Sequence, residues 1–349
     1  MNLRIVEYVA VIEVCLLGAG LLFLFLGHHF LATRHAQSTR QFAIARTNLT
    51  SLAVDGIGNR STTKLFGSLS PEVQVRLLSE TAERFGGKHR ARLKVLADNV
   101  GLTRRAEKWC RSRLQARRLR GIRTLKAISS SSAAVLKLFA DTNDEVRSQA
   151  AAWAFEHPTA DAISGLLRLL EDPVRLCRMT AQDSLLRLGH APVAQLTECL
   201  AGMTGKSAEA ALQVAAALAH PRLLSPIIER TSDTAPLIRA AATEALGSYG
   251  GELACRRVIE MLDDQEPEVR LEAVRSIKSM QYWPAAANVA RRLSDPSGDV
   301  RREAAVTLAK LGPPGILLLR NAILESNREA AEVAKQALSL CEAGGESLS

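Results

Sequence analysis

Positive charge is concentrated in one short stretch of this 349-residue chain. Residues 104–126 contain ten basic side chains and one acid, Glu107, so that their formal charge of +9 equals that of the whole chain. Cations at this density attract the phosphate groups of anionic lipid or nucleic acid. The alternative is a solvated face of a structural helix, with arginine stems covering apolar surface. The candidates for binding an anionic surface are Arg104, Arg105, Lys108, Arg111, Arg113, Arg117, Arg118, Arg120, Arg123 and Lys126.

The other reactive side chains match no catalytic or metal-binding motif. The six cysteines form no C-x-x-C pair, and the sequence contains no H-E-x-x-H, nucleophile elbow or G-x-x-x-x-G-K-[ST] loop. Scattered cysteines at apolar positions are typical of buried, reduced thiols. His157, His190 and His220 fall near prolines at predicted helix ends, where we expect them to cap helix C-termini. We therefore expect no catalytic residue, cofactor or metal, and a protein that is not an enzyme.

The elements that carry these residues follow a repeat. Five aspartates recur along the C-terminal two thirds of the chain at spacings of 31, 61, 31 and 31 residues. Residues 5, 9 and 13 positions after each aspartate are apolar and lie on one face of a helix. A second apolar helix precedes each aspartate, and such a pair buries its faces only by stacking on its neighbours. With 47% hydrophobic and 4% aromatic residues, the chain is predicted to be an all-α solenoid.

The motif Asp, four residues, Val, Arg, two residues, Ala resembles that of the HEAT-repeat family, and most closely the short HEAT-like repeats also found in phycobilin lyases. This resemblance implies a right-handed solenoid in which aspartates and arginines form a ladder between adjacent repeats. The copy at residues 205–221 lacks the Val-Arg pair, so we expect an interruption there, and Glu332 replaces the arginine in a final copy that we interpret as a terminal cap. The implied ladder residues are Asp141, Arg147, Asp172, Arg178, Asp233, Arg239, Asp264, Arg270, Asp295 and Arg301.

Residues 5–27 form an uninterrupted apolar run apart from Glu7 and Glu13. A helix of this length spans about 34 Å, enough for the roughly 30 Å hydrocarbon core of a bilayer. A carboxylate facing lipid costs about 2.5 to 3.5 kcal/mol on insertion scales, so Glu13 predicts an intramembrane contact with another helix. Tilt, local thinning or protonation is the alternative. No small-x-small site follows the run, which favours an uncleaved anchor over a signal peptide.

Basic residues flank this predicted span unequally. Arg4 precedes it, whereas Arg34, Arg40 and Arg46 follow it. The positive-inside rule then places the C-terminal domain in the cytoplasm of a single-pass membrane protein, in the inner membrane if the chain is bacterial. The layout also resembles bacterial membrane-anchored HEAT-repeat proteins, whose role is largely unassigned.

The sequence predicts four segments. These are a transmembrane anchor at residues 1–30, a juxtamembrane linker at 31–64 that is predicted to begin with a helix, an N-terminal helical cap at 65–128 and the repeat solenoid at 129–349. Within the cap, residues 104–128 are predicted to form one amphipathic basic helix, with Gly121 as its candidate break.

These features predict a membrane-anchored scaffold whose HEAT-repeat surface binds a protein partner at the cytoplasmic face and whose basic helix contacts anionic lipid. Tyr282 and Trp283 are the candidate anchors for the partner, since exposed aromatic residues often dominate interfaces; packing under the neighbouring repeat is their alternative. A second possible function is a regulator or assembly factor of a membrane enzyme or transport complex, contacted partly through the transmembrane helix. A lyase or a DNA-binding protein ranks lower, and nucleic acid is the less favoured partner.

Overall fold

A computed structural model describes residues 42–54, 56, 60–85, 88–325 and 327–345. All regular secondary structure in these ranges is helical, which confirms the all-α prediction for the described part of the chain. The chain divides into two compact units, unit 1 ending at Ala134 and unit 2 beginning at Val135. The predicted anchor at residues 1–30, including Glu13, lies outside the described residues. No helix in the described ranges has the length and hydropathy needed to cross a bilayer.

Unit 1 contains six described helices. They are α1 (residues 42–54), α2 (Arg60–Ser68), α3 (Pro71–Arg84), α4 (Lys88–Asn99), α5 (Leu102–Cys110) and α6 (Gln115–Ala127). Every helix contributes large apolar side chains to the core, among them Leu49, Phe66, Leu77, Leu93 and Ile122, all of which are fully buried. Unit 1 therefore has a hydrophobic core of its own.

The segment predicted as a juxtamembrane helix followed by a linker contains one described helix and the start of a second. Within residues 31–64, α1 occupies 42–54 and α2 begins at Arg60. Ala45, Leu49 and Leu52 recur at helical spacing and are buried, which explains why this polar-looking stretch folds. The Nη1 atom of Arg92 donates to the carbonyls of Ala53 and Val54 at 2.8 and 2.7 Å, and so satisfies the last turn of α1.

The basic segment is also not a single helix. It consists of α5 and α6, joined by the 111–114 loop, and Gly121 lies inside α6. A Cβ atom at Gly121 would lie 2.7 Å from both the Ala106 carbonyl oxygen and the Cys110 Sγ atom. Gly121 is therefore a point of close approach between α5 and α6. The break between the two helices lies at residues 111–114, before the glycine that was predicted to cause it.

Unit 2 contains seven helical pairs within the described residues, the first of which begins with the last two residues of unit 1. The helices are α7 (Ala133–Leu136, continued by the 3₁₀ turn Lys137–Ala140), α8 (Asp144–Ala154), α9 (Ala160–Leu169), α10 (Arg175–Arg187), α11 (Val193–Cys199), α12 (Gly205–Leu218), α13 (Pro221–Arg230), α14 (Pro236–Leu246), α15 (Gly251–Met261), α16 (Pro267–Met280), α17 (Ala286–Arg291), α18 (Gly298–Lys310), α19 (Pro313–Leu324) and α20 (Arg328–Gly345).

The second helices of these pairs, from α8 to α20, pack side by side in one continuous row. The alanines at position 9 of each repeat are fully buried and let neighbouring helices approach closely. They are Ala150, Ala181, Ala242, Ala273 and Ala304. The first helices of the pairs form the other layer, so the core of unit 2 runs between two layers of helices.

Candidate functional site

Six of the ten predicted cations form an exposed surface on α5, the 111–114 loop and the start of α6. None of these six forms an ion pair with another residue in the described part of the chain. We call this group the cationic surface. Its members are Arg104, Arg105, Lys108, Arg111, Arg113 and Arg117.

The other four cations have structural partners. The Arg120 Nη2 atom lies 2.7 Å from Glu72 Oε1, and its guanidinium lies 5.5 Å from the centre of the Trp109 ring. Arg118 donates to two carbonyls of the 111–114 loop, and Arg123 and Lys126 also have partners. The sequence predicted all ten cations as candidates for binding an anionic surface, but in the structure only the six cations of the cationic surface are available to bind a ligand.

Three of the six members of the cationic surface lie at the positive ends of helix dipoles, whereas Lys108 and Arg111 lie at the favourable C-terminal end of α5. Arg104 and Arg105 lie in the first turn of α5, and Arg117 lies in the first turn of α6. The positive end of a helix dipole disfavours cations, and neither helix has an acid in its first turn. These arginines therefore do not stabilise their own helices, which favours a role in binding anions over the purely structural alternative.

Charge is also divided between the two units. Residues 42–134 contain 19 basic and 6 acidic residues, a formal charge of +13, whereas residues 135–349 contain 23 basic and 28 acidic residues, a charge of −5. Attraction for anionic surfaces therefore belongs to unit 1 rather than to the repeats.

An exposed leucine lies within the cationic surface and was not predicted as a site residue. Leu114 is 58% exposed at the end of the 111–114 loop. The loop has a defined shape, because Arg118 Nη1 donates to the carbonyls of Ser112 and Arg113 at 3.1 and 3.0 Å, and the Leu114 amide donates to Ser112 Oγ at 3.2 Å. The feature of the sequence that could have identified Leu114 is a large apolar residue with arginines on both sides.

Unit 2 contains three rungs of an aspartate–arginine ladder. In each, the arginine Nε and Nη2 atoms donate to both carboxylate oxygens of the next repeat's aspartate. The Nε–Oδ2 distances are 2.5 Å for Arg147–Asp172, 2.8 Å for Arg239–Asp264 and 2.7 Å for Arg270–Asp295. Each of these arginines also donates through Nη1 to the carbonyl of its own repeat's aspartate, so one side chain joins two inter-helix loops.

The remaining ladder residues pair differently. Arg178 donates to the carbonyls of Asp172 and Pro173, and the described residues give it no carboxylate partner, because Met203 occupies the next aspartate position. Asp233 instead pairs with Arg230 at 3.1 Å, three residues before it in the chain. At the other two positions, Arg301 lies 3.0 Å from Glu329, and the Asp141 carboxylate accepts the Asn143 amide proton. The irregular copy at residues 205–221 thus interrupts the ladder.

Burial and pairing have opposite effects on the ladder carboxylates. Burial raises the pKa of an aspartate, but the guanidinium and a backbone amide donate to each carboxylate and outweigh it. The pKa of Asp172, Asp264 and Asp295 is therefore below its ordinary value. These aspartates remain ionised in neutral solution and act as structural links between repeats.

The two aromatic candidates for a protein interface differ in exposure. Trp283 is 62% exposed at the start of a 3₁₀ turn, Trp283–Ala285, whereas Tyr282 is half-buried. Trp283 can therefore contact a partner directly, whereas Tyr282 exposes only part of its side chain.

Two histidines and one cysteine of the described residues have structural positions. His220 does not cap a helix C-terminus as predicted; its Nδ1 atom accepts the Arg222 amide proton at 3.2 Å and caps the N-terminus of α13. His157 packs on Trp153, with 4.4 Å between ring centroids. Burial raises the pKa of the Cys110 thiol to about 12, with a further contribution from Glu107, so this thiol is unreactive at neutral pH. The described residues contain no group of three or more metal-ligating side chains.

Comparison with known proteins identifies the repeats. A family model described as HEAT repeats matches residues 193–278 and 255–339. No curated protein is significantly similar to the chain in sequence.

Solved structures show a similar fold. Kap121p bound to Nup53p is 13% identical, with a TM-score of 0.58 over 86% of this chain and 40% of that chain. Kap121p bound to Pho4p is also 13% identical, with a TM-score of 0.50 over 84% and 41% of the two chains. Human deoxyhypusine hydroxylase is 20% identical over 70% and 99% of the two chains, and its TM-score of 0.31 supports no inference. The chain thus spans about two fifths of Kap121p, and the similarity shows the fold alone.

Proposed function

We propose that this chain, whose residues 193–278 and 255–339 match a model of HEAT repeats, is a membrane-anchored scaffold whose repeat unit binds a protein partner at the cytoplasmic face. The observation that supports this proposal is that the two units differ in their surface charge and in their repeat structure. The cationic surface of unit 1 is exposed and forms no ion pair within the described residues, and unit 2 is a helical array whose three ladder rungs use their charges internally. In this proposal the protein has no catalytic activity, cofactor or metal.

Binding of a protein partner is supported by the kind of surface that a HEAT array offers. Stacked helical pairs expose a long, continuous row of side chains, and each pair adds a similar strip. Kap121p, which has a similar fold, is bound to Nup53p or Pho4p in its structures. Trp283 provides an exposed aromatic anchor of the type that dominates many interfaces.

Membrane attachment is supported by two independent features. One is the apolar run at residues 5–27, and the other is the cationic surface of unit 1. Each exposed cation near an anionic leaflet contributes about 1 kcal/mol, so six contribute several kcal/mol at physiological salt. The positive residues after the run favour the cytoplasmic side, where anionic lipid is abundant.

Hydrogen exchange tests the lipid contact in the full-length protein. In nanodiscs containing anionic lipid, we expect residues 102–127 to exchange more slowly than in nanodiscs of neutral lipid. Charge reversal at Arg111, Arg113 and Arg117 should remove this difference. Arg118 and Arg120 are left unchanged because they hold the loop and Glu72. Equal exchange on neutral and anionic discs would refute the lipid contact.

Glu13 supports the second function, a regulator or assembly factor that contacts a membrane enzyme or transport complex partly through the transmembrane helix. Replacing residues 1–30 by an unrelated single span separates the two functions. A scaffold that uses its span only as an anchor retains its partner after the exchange, whereas an intramembrane contact through Glu13 is lost. Recovery of the partner by immunoprecipitation from solubilised membranes measures the difference.

A further inference from the structure

We propose that Leu114 inserts into the hydrocarbon edge of an anionic bilayer while the arginines around it bind lipid phosphates. The inference rests on the proposed lipid contact of unit 1 and specifies how that contact is made. It assigns the 111–114 loop as a membrane-inserting loop rather than a patch of surface charge.

The first support is the composition and exposure of the loop. Leu114 is 58% exposed, and Arg111, Arg113 and Arg117, which flank it in the chain, are exposed as well. Exposure of a large aliphatic side chain to water is energetically unfavourable. At a membrane surface the side chain can enter the apolar layer while the neighbouring cations stay in contact with the headgroups. The loop thus combines an apolar residue with cations, as interfacial anchors do.

The second support is that the loop is held in this shape. Arg118, on the first turn of α6, donates to the carbonyls of Ser112 and Arg113, and Ser112 Oγ accepts the Leu114 amide proton. Behind the loop, Gly121 allows α5 and α6 to pack closely. The exposed position of Leu114 is therefore fixed by hydrogen bonds before any ligand is present, which lowers the entropy cost of binding.

The third support distinguishes lipid from nucleic acid. Proteins that bind single strands stack bases on exposed aromatic rings. The aromatic side chain of this region, Trp109, is half-buried and lies under the Arg120 guanidinium at 5.5 Å. The exposed apolar residue is an aliphatic one, which suits acyl chains and offers no stacking surface for bases.

Photo-crosslinking from the acyl chains tests insertion. Full-length protein is placed in nanodiscs that contain a lipid with a photoreactive group on its acyl chain, with either neutral or anionic headgroups in the remaining lipid. We expect the peptide containing Leu114 to be labelled on anionic discs. Full burial of a leucine strengthens partitioning roughly 10- to 100-fold. Leu114→Ser should therefore reduce the ratio of labelled to unlabelled peptide about tenfold, and Leu114→Met should preserve most of it.

Val95→Ser is the matched control, because Val95 is an exposed apolar residue of unit 1, 60% exposed on α4, outside the cationic surface. It should leave the labelling of the Leu114 peptide unchanged. Thermal melting by circular dichroism checks that all three variants fold, as exposed side chains predict.

Three outcomes overturn the inference. If anionic lipid slows hydrogen exchange of residues 102–127 but acyl-chain labelling at Leu114 is absent or insensitive to Leu114→Ser, insertion is wrong and the electrostatic lipid contact stands. If anionic lipid has neither effect, the lipid contact fails as well. If a single-stranded oligonucleotide, and not anionic lipid, protects residues 102–127, the ligand of the cationic surface is nucleic acid.

Discussion

Replacing Asp295 by alanine tests the ladder most severely, because this rung is the most deeply buried. The Asp295 side chain is 0% exposed and that of Arg270 is 10% exposed, with Nε–Oδ2 and Nη2–Oδ1 distances of 2.7 and 2.8 Å. Removing one partner of a buried ion pair leaves an uncompensated charge and costs about 3–5 kcal/mol. We expect Asp295→Ala to lower the free energy of unfolding by that amount.

Asp233 provides the matched control. The Asp233 carboxylate accepts the backbone amide proton of Ala235, as the Asp295 carboxylate accepts that of Ser297. Asp233, however, pairs with Arg230 in its own repeat and not with an arginine of the preceding repeat.

Arg230 and Arg270 each retain two backbone carbonyl acceptors when their aspartate is removed. Arg230, however, loses a single contact of 3.1 Å within its own repeat, whereas Arg270 loses both hydrogen bonds of a bidentate pair with the next repeat. Asp233→Ala should therefore cost only about 1–2 kcal/mol.

Urea denaturation followed by circular dichroism measures both variants. Because repeat arrays can unfold in stages, hydrogen exchange of α16 and α18 serves as a local check. The double variant Arg270→Met with Asp295→Leu should recover most of the lost stability, since a well-packed apolar pair often replaces a buried ion pair without loss. Equal destabilisation by Asp295→Ala and Asp233→Ala would refute the assignment of this rung as a link between repeats.

Three further predictions concern acid stability, packing and the partner surface. The pKa of Asp264 and Asp295 in the folded state lies below the unfolded value of about 3.9. The stabilisation that these aspartates provide is therefore present above that pH and is lost as the pH falls through the folded-state pKa, so the melting temperature should decrease below about pH 4. A melting temperature that stays constant between pH 5 and pH 2 would contradict this. Gly121→Ala should lower the free energy of unfolding by about 1–3 kcal/mol, because the new methyl group overpacks α5 against α6. Gly67→Ala is the control: its Cβ atom would lie 3.6 Å from the nearest neighbouring atom, so it should leave the melting temperature unchanged or raise it. Equal effects of the two substitutions would contradict the assignment of Gly121 as a close-packing position. Trp283→Ala should change stability by less than about 0.5 kcal/mol and weaken capture of the partner, and an equal loss of folding would instead assign Trp283 to the core.

The repeat region could be predicted well because its signal is local and recurs. Val300, Ala304 and Leu308 follow Asp295 at spacings that fix one buried face, and four other copies repeat the pattern. The interruption after Asp172 was also visible, because the next copy lacks its Val-Arg pair.

Features that depend on a neighbouring helix could not be predicted in the same way. Gly121 looks like a helix breaker in the sequence, and only the position of α5 shows that it is needed for close packing. Likewise, Arg117 and Arg118 are adjacent and identical in type, but Arg118 holds the 111–114 loop while Arg117 is exposed. A juxtamembrane helix was predicted in the polar stretch that contains α1, but its bounds and its buried face of Ala45, Leu49 and Leu52 were not, because that face forms only against the rest of unit 1.

Chemical crosslinking in intact membranes, with mass-spectrometric mapping of the crosslinked peptides, tests the central claim most directly. The proposal predicts a reproducible protein partner whose crosslinks map to exposed residues of the helices in unit 2, while contacts of unit 1 with lipid persist in the partner's absence. Crosslinks to protein that map only to unit 1, or a repeat unit that captures no protein from its own membrane, would contradict the account.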